Sequence, residues 1–137
     1  MFDTQAFSEG ALAFAIAFFT ACLFAVAFKV LYQLVTPHRE RELIRAGNPA
    51  AAITLGGALL GYCIPLATAL TQTHSLGEFA AWAALAGVIQ IAAFLLVRLL
   101  AFKDLSARIE RGEVAAALYL LSISLGVGLL NAASMTA

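Results

Sequence analysis

Cysteine and histidine, the residues that most often carry chemistry, form no recognisable site in this sequence. Cys22 and Cys63 are the only cysteines and lack a Cys-x-x-Cys spacing. His38 and His74 are the only histidines, and Glu42, four residues after His38, is the one potential co-ligand at helical spacing. Because a zinc site takes three or four protein ligands, we expect no metal centre and no other cofactor.

Acidic residues suggest neither a catalytic pair nor a proton relay. All eight Asp and Glu residues lie near the termini or in the short polar segments between long apolar stretches. Proton-coupled transporters generally depend on an ionisable residue inside a membrane span. We therefore expect no enzymatic activity, and a proton-coupled exporter is a poor match for this sequence.

Two carboxamides remain as candidates for a functional role inside the apolar stretches. Gln90 lies in the middle of the third stretch and Asn131 lies well within the fourth. An amide in hydrocarbon must find hydrogen-bond partners, so both side chains should face other helices. They either join helices by hydrogen bonds or line a polar path, and the sequence leaves both alternatives open.

The elements that must position these residues are four apolar stretches, at residues 8–35, 49–70, 79–102 and 114–135. Each reaches the ~20 residues that a helix needs to cross a bilayer. Hydrophobic residues make up 63% of the 137-residue chain and charged residues 12%, which excludes a small soluble enzyme. The sequence predicts an all-α, polytopic membrane protein with one domain over 1–137. The net charge of zero argues against a nucleic-acid partner.

The basic residues predict the orientation in the membrane. All eight Lys and Arg residues lie in or beside two segments, 36–48 and 103–113. The positive-inside rule places these two loops in the cytoplasm and both termini outside. Five of the arginines are candidates for a cytoplasmic interface with peripheral partners: Arg39, Arg41, Arg45, Arg108 and Arg111.

The two halves of the chain resemble each other. The segment from Ile44 to Ala52 aligns with the segment from Ile109 to Ala117, with a glycine and three alanines at matching positions. The alignment predicts two parallel two-helix repeats, residues 8–71 and 79–135, related by an axis along the membrane normal.

Small residues indicate where helices approach closely. Gly57 and Gly61 form a Gly-x-x-x-Gly pair in the second stretch, and we expect this face to hold a homo-oligomer together. The full set of glycines predicted to pack helices is Gly57, Gly61, Gly87, Gly126 and Gly128.

Several motifs over nearly the whole chain resemble the YjfL-type bacterial inner-membrane proteins. They include Thr36-Pro37-His38, Gly57-x-x-x-Gly61-Tyr62, Ile64-Pro65-Leu66, Val88-Ile89-Gln90 and Asn131-Ala132-Ala133-Ser134-Met135. The resemblance implies a tandem pair of two-span units in the bacterial inner membrane. Ser134 stands where that family leads us to expect Cys, so a thiol role there is not implied. The family also implies a partner in envelope maintenance, such as peripheral cytoplasmic membrane-stress proteins of the phage-shock type.

Two functions follow from these features. The first is a non-catalytic oligomeric scaffold or subunit in the bilayer, which presents its cytoplasmic loops to peripheral partners. The second is an oligomeric channel or transporter for an ion or small solute, with Gln90 and Asn131 lining the path. The sequence favours the scaffold, because four spans are too few to enclose a path without oligomerisation.

Overall fold

The computed structural model describes residues 1–36, 39–100 and 104–137, and within these ranges the chain contains helices and no strand. The helices are α1 (Thr4–Val35), α2 (Glu40–Arg45), α3 (Pro49–Gln72), α4 (Leu76–Leu100), α5 (Leu105–Glu110) and α6 (Val114–Ser134). The four long helices, of 32, 24, 25 and 21 residues, are long and apolar enough to cross a membrane. The predicted all-α, polytopic class is confirmed. Orientation and the internal repeat stay predictions.

Local sequence explains where the long helices begin. The Asp3 carboxylate accepts hydrogen bonds from the backbone N–H groups of Gln5 and Ala6 at the start of α1. The Asn48 side chain accepts from Ala51 N–H at the start of α3, where Pro49 occupies the first turn. These caps satisfy N–H groups that have no partner within the helix.

The short helices α2 and α5 end in the same way. Gly47 and Gly112 have φ angles of +85° and +77°, the left-handed conformation that glycine adopts without strain. In each case the glycine N–H and the next N–H donate back to carbonyls of the short helix, which satisfies the helix end. The predicted repeat requires α2 and α5 to end alike, and they do. The predicted loops 36–48 and 103–113 also include Pro37, His38 and Lys103, which lie outside the described residues.

Helix α3 lies at the centre of the bundle and packs against α1, α4 and α6. Its buried side contacts α6 most extensively, and the two helices run parallel. Helix α4 runs antiparallel to both and contacts each of them. Helix α1 lies at the edge of the bundle, and Phe28 and Tyr32 are its only buried residues.

Aromatic rings join α1 to the rest of the bundle. The Phe28 ring stacks on Tyr62 of α3 with centroids 4.4 Å apart. The Phe24 and Tyr32 rings make edge contacts with Phe79 and Phe94 of α4, at 5.4 and 5.1 Å. Such pairs contribute beyond their buried area, so a few rings position a helix that is otherwise exposed.

The chain direction gives the bundle two distinct ends. Helices α2 and α5 pack beside the beginnings of α3 and α6, and we call this side the loop end. The opposite side, the terminal end, carries the α3–α4 connection and the chain termini. There, Gln72, Glu78, Trp82 and Met135 line one small surface cavity.

Candidate functional site

The two candidate carboxamides lie at the contact between α4 and α6, and each is buried. The Gln90 side-chain amide of α4 donates to the Ser124 carbonyl of α6 at 3.2 Å. The Asn131 amide of α6 donates to the Ala86 carbonyl of α4 at 3.2 Å. The two helices therefore exchange amide hydrogen bonds, as expected of polar groups that join helices in a low-dielectric medium.

Part of this buried polar surface has no protein partner. The Gln90 Oε1 atom makes no hydrogen bond to any described residue, and the same is true of the Tyr32 and Thr54 hydroxyl groups. Thr54 and Gly61 lie seven residues apart on one face of α3, and Gly61 contacts the Gln90 amide. A buried polar atom without a partner is costly unless water satisfies it. The α3–α4–α6 junction therefore contains two buried polar atoms, on Gln90 and Thr54, that have no hydrogen-bond partner among the described residues.

Glycines allow α3 and α6 to cross at very short distance. A Cβ atom on Gly61 would lie 2.5 Å from the Ser124 carbonyl oxygen and 2.9 Å from the Gln90 amide nitrogen. A Cβ atom on Gly57 would lie 2.5 Å from the Leu121 side chain, and one on Gly128 would overlap the Gly61 carbonyl. At Gly61 and Gly128 a side chain would collide with backbone atoms, so backbone packs on backbone there. At Gly57 the nearest atom is the end of the Leu121 side chain.

The other two glycines of the predicted packing set lie in looser surroundings. A Cβ atom on Gly87 would make an ordinary contact, 3.5 Å from the Tyr62 ring. A Cβ atom on Gly126 would meet nothing within 4 Å. Gly126 therefore packs no helix within the protomer, which corrects the expectation from its small size.

The predicted use of the Gly57/Gly61 face also needs correction. We expected this face to join two copies of the chain, but α6 of the same chain covers it. The sequence pattern identifies a close helix contact without identifying the partner helix. Any homo-oligomer must use a different surface.

At the loop end, Asn48 connects the two halves of the chain. Its Nδ2 atom donates to the Ile109 carbonyl at 2.8 Å and to the Glu110 carbonyl at 3.2 Å. Its Oδ1 atom accepts from Ala51 N–H at 3.1 Å. One side chain thus caps α3 and satisfies free carbonyls at the end of α5, which holds the two predicted loops together.

The five candidate interface arginines lie on this joined surface. Arg108 contacts Asp104 at 3.0 Å and Glu113 at 3.4 Å, and Arg111 contacts Glu113 at 3.7 Å. The hydrogen bond from Arg108 lowers the pKa of the Asp104 carboxyl below its ordinary value.

The loop that contains α2 has more unpaired positive charge than the loop that contains α5. Arg39 makes one exposed pair with Glu42 at 3.5 Å. Arg41 and Arg45 are exposed and make no ion pair with any described residue. These two arginines follow one another by a helical turn on α2, so they can meet one partner together.

The sequence did not distinguish Glu40 from the other loop acids. Its side chain is only 2% exposed at the start of α2, and it interacts electrostatically with Tyr32. Neither hydropathy nor residue spacing in the sequence indicates that the Glu40 carboxylate is buried. Its burial depends on contacts with residues outside α2.

The cysteines lie apart from these features. Cys22 and Cys63 line an apolar groove between α1 and α3. Among residues 1–36, 39–100 and 104–137, no cluster of three or more His, Cys, Asp or Glu side chains is placed to hold a metal ion.

The four spans, the buried amides and the joined polar loops define a polytopic α-helical membrane protein. Residues 6–135 match the family described as "Domain of Unknown Function (DUF350)", and the chain belongs to this family. The predicted membership of the YjfL-type family is thereby confirmed.

Named relatives agree with this placement. The chain is 38% identical over 128 residues to the "UPF0719 inner membrane protein YjfL" of Escherichia coli K12, covering 93% of this chain and 96% of that protein. It is 28% identical over 117 residues to the "UPF0719 transmembrane protein YshE" of Bacillus subtilis, covering 84% and 87%. The chain is a multi-pass inner membrane protein. No solved structure matches it.

Proposed function

We propose that the protein is a non-catalytic membrane scaffold whose loop end faces the cytoplasm and docks peripheral proteins. The observation that carries this proposal is the Asn48 bridge, because it joins the loops of both halves into one surface. The exposed Arg41 and Arg45 give that surface unpaired positive charge within the described part of the chain. Charged surfaces of this kind select partners and speed their association.

The partner class that fits this surface is a peripheral protein with an acidic patch. The membrane-stress proteins implied by the family resemblance are candidates. Their docking would explain why the bilayer portion needs packing groups and no reactive groups. We also propose that the protein forms a homo-oligomer through a surface other than the Gly57/Gly61 face.

In vivo photo-crosslinking tests the docking proposal. A photoreactive amino acid at Arg45 should give a crosslink to a cytoplasmic protein. The same amino acid at Gln72, at the terminal end, should not. The charge-reversed variant Arg41→Glu should weaken the crosslink from position 45, whereas Glu78→Arg at the terminal end should leave it unchanged.

Two results would contradict the docking proposal. One is equal crosslinking from positions 45 and 72. The other is an Arg45 crosslink that is insensitive to Arg41→Glu. An impermeant thiol reagent tests the orientation separately: it should label a cysteine placed at Thr73 from the periplasm and leave one placed at Ala46 unlabelled.

A second candidate function is the oligomeric channel or transporter. It is favoured by the Gln90 Oε1 atom, which is buried at mid-span without a partner among the described residues. Polar atoms of this kind can replace part of a solute's hydration shell. The donated hydrogen bonds of Gln90 and Asn131 favour the scaffold, because both amides already bind helix carbonyls.

Flux through purified protein in liposomes separates these two functions. Under the scaffold proposal, wild-type protein carries no ion or small solute above the background of empty vesicles. Flux that is lost in Gln90→Leu and Asn131→Leu, with the fold retained, would favour the channel and contradict the scaffold.

A further inference from the structure

A narrow groove runs between α1 and α4 on the lipid-facing side of the bundle. It has a volume of about 250 Å³ and is lined by apolar side chains, with Phe28, Leu31, Tyr62, Gly87 and Val88 among them. Gly87 has no side chain to fill the groove, and the Tyr62 ring, 3.5 Å from the position that a Cβ would take, forms part of its floor. The groove therefore offers hydrocarbon contact on both walls and on its floor.

The shape of the groove decides what can enter it. The Phe24–Phe79 and Tyr32–Phe94 ring contacts hold α1 and α4 together on either side of Gly87. A second helix, about 10 Å across, cannot enter between two walls that touch at both ends. A single extended hydrocarbon chain can.

A positive charge lies along the same face of α4, toward the loop end. Arg98 follows Gly87 by eleven residues and Ile91 by seven, which are close to three and two whole helical turns. Arg98 is partly exposed and makes no ion pair or hydrogen bond with any residue in 1–36, 39–100 or 104–137. Its guanidinium therefore retains all five donors for a ligand.

The distance between the groove and this charge matches one leaflet of a bilayer. Eleven residues of helix separate Gly87 from Arg98 by about 16 Å at 1.5 Å per residue. Half of the ~30 Å hydrocarbon core is about 15 Å. A lipid whose phosphate lies at Arg98 would therefore place the end of its acyl chain near Gly87, with the chain passing on the lipid side of the buried Tyr32–Phe94 contact.

We propose that the α1–α4 groove and Arg98 form a specific phospholipid site. One acyl chain lies in the groove, and the guanidinium of Arg98 donates two hydrogen bonds to the phosphate. The ligand is an anionic phospholipid of the leaflet on the loop side. An anionic phospholipid binds through both its headgroup, which pairs with Arg98, and its acyl chain. A lipid without phosphate binds through its acyl chain in the groove alone.

Native mass spectrometry of the full-length protein tests this site with phosphatidylglycerol and with diacylglycerol of the same chains. We expect one tightly retained phosphatidylglycerol, with diacylglycerol held about tenfold more weakly. Arg98→Gln should lower phosphatidylglycerol occupancy about tenfold, to the level of diacylglycerol. Lys29→Gln is the matched control, because Lys29 is a second unpaired cation that lies on α1 and lines a separate cavity beside α2, with Gln33 and Glu40.

A second pair of variants tests the groove independently of the charge. Ala84→Leu projects into the groove and should reduce the binding of both lipids, whereas Ala92→Leu adds the same bulk to an exposed position of α4 outside it. Equal phosphatidylglycerol retention in Arg98→Gln and Lys29→Gln would overturn the proposal. So would full retention in Ala84→Leu. If Arg98→Gln does not fold, phosphatidylglycerol retention in Ala84→Leu is compared with that in Ala92→Leu. Equal retention in these two variants would overturn the proposal.

Discussion

Helices α1 and α3 show opposite relations between apolar character and burial. The most apolar window of α1 has a mean hydropathy of 2.5, yet 6% of its residues are buried. The corresponding window of α3 has a mean hydropathy of 1.7, and 56% of its residues are buried. Lipid tails are as apolar as leucine, so large apolar side chains gain little from leaving lipid. The buried helix is the one with glycines at its contact face, Gly57 and Gly61, whereas α1 is rich in alanine and has only Gly10.

This difference explains why α3 is central. Gly57 and Gly61 let its backbone touch α6, and Tyr62 and Thr54 lie buried beside them. In α1, Phe14, Leu23 and Leu34 are all exposed, and aromatic contacts near its loop end hold it to the bundle. Close packing and polar partners, more than hydrophobicity, select the inner helices.

The largest expected effect is the loss of the α3–α6 crossing. Gly61→Leu should destabilise the protomer by about 3 kcal/mol or more, because a side chain there meets the Ser124 carbonyl. Gly56→Leu, five residues earlier on the same helix, should be nearly neutral because a Cβ there meets nothing within 4 Å. Thermal unfolding in detergent measures both. Equal stability of the two variants would contradict a crossing through Gly61.

Next in size is the bridge at the loop end. Asn48→Ala should cost about 1–2 kcal/mol, because it removes the α3 cap and the bonds to the Ile109 and Glu110 carbonyls. Glu113→Ala, at the matching position before α6, should cost less because the Glu113 side chain makes no cap hydrogen bond. Denaturant unfolding compares the two. A larger loss in Glu113→Ala would show that the two halves are stabilised differently from this structure.

The buried amides should contribute less to the stability of the protomer than either the α3–α6 crossing or the Asn48 bridge. Asn131→Leu should cost about 0.6 kcal/mol, the average for a hydrogen bond between membrane helices. Gln90→Leu should cost less than Asn131→Leu, because it also removes a buried oxygen that has no partner among the described residues. Thermal unfolding of the two variants in the same detergent checks this order. A cost of several kcal/mol for Gln90→Leu would indicate a stronger polar network at the junction.

The smallest effect is expected at Asp104, which is exposed. Its pKa is lowered in the folded protein, so the pair with Arg108 contributes stability above the ordinary carboxyl pKa. That contribution disappears as the pH falls through the lowered pKa. Asp104→Asn should therefore lower stability slightly at neutral pH and leave it unchanged below the lowered pKa, where the wild-type carboxyl is protonated. An unaltered pH profile in the variant would contradict this.

The sequence by itself predicted the class of protein and the number of spans. Long apolar stretches must form helices in a bilayer, because the backbone finds no other hydrogen-bond partners there. It also identified Gln90 and Asn131, since an amide inside such a stretch is conspicuous. The helix start at Asn48–Pro49 follows equally from local chemistry.

Tertiary structure alone decided which helices those residues join. The Gly57/Gly61 pattern requires a close partner, and only the folded chain shows that the partner is its own α6 rather than a second copy. Gly126 has the same residue type, but a Cβ atom there would meet nothing within 4 Å. The sequence does not distinguish Glu40 from solvated acids of the loop, but in the structure its side chain is buried. Spacing along a helix determines which residues share a face, whereas the element that covers the face depends on contacts between residues distant in sequence.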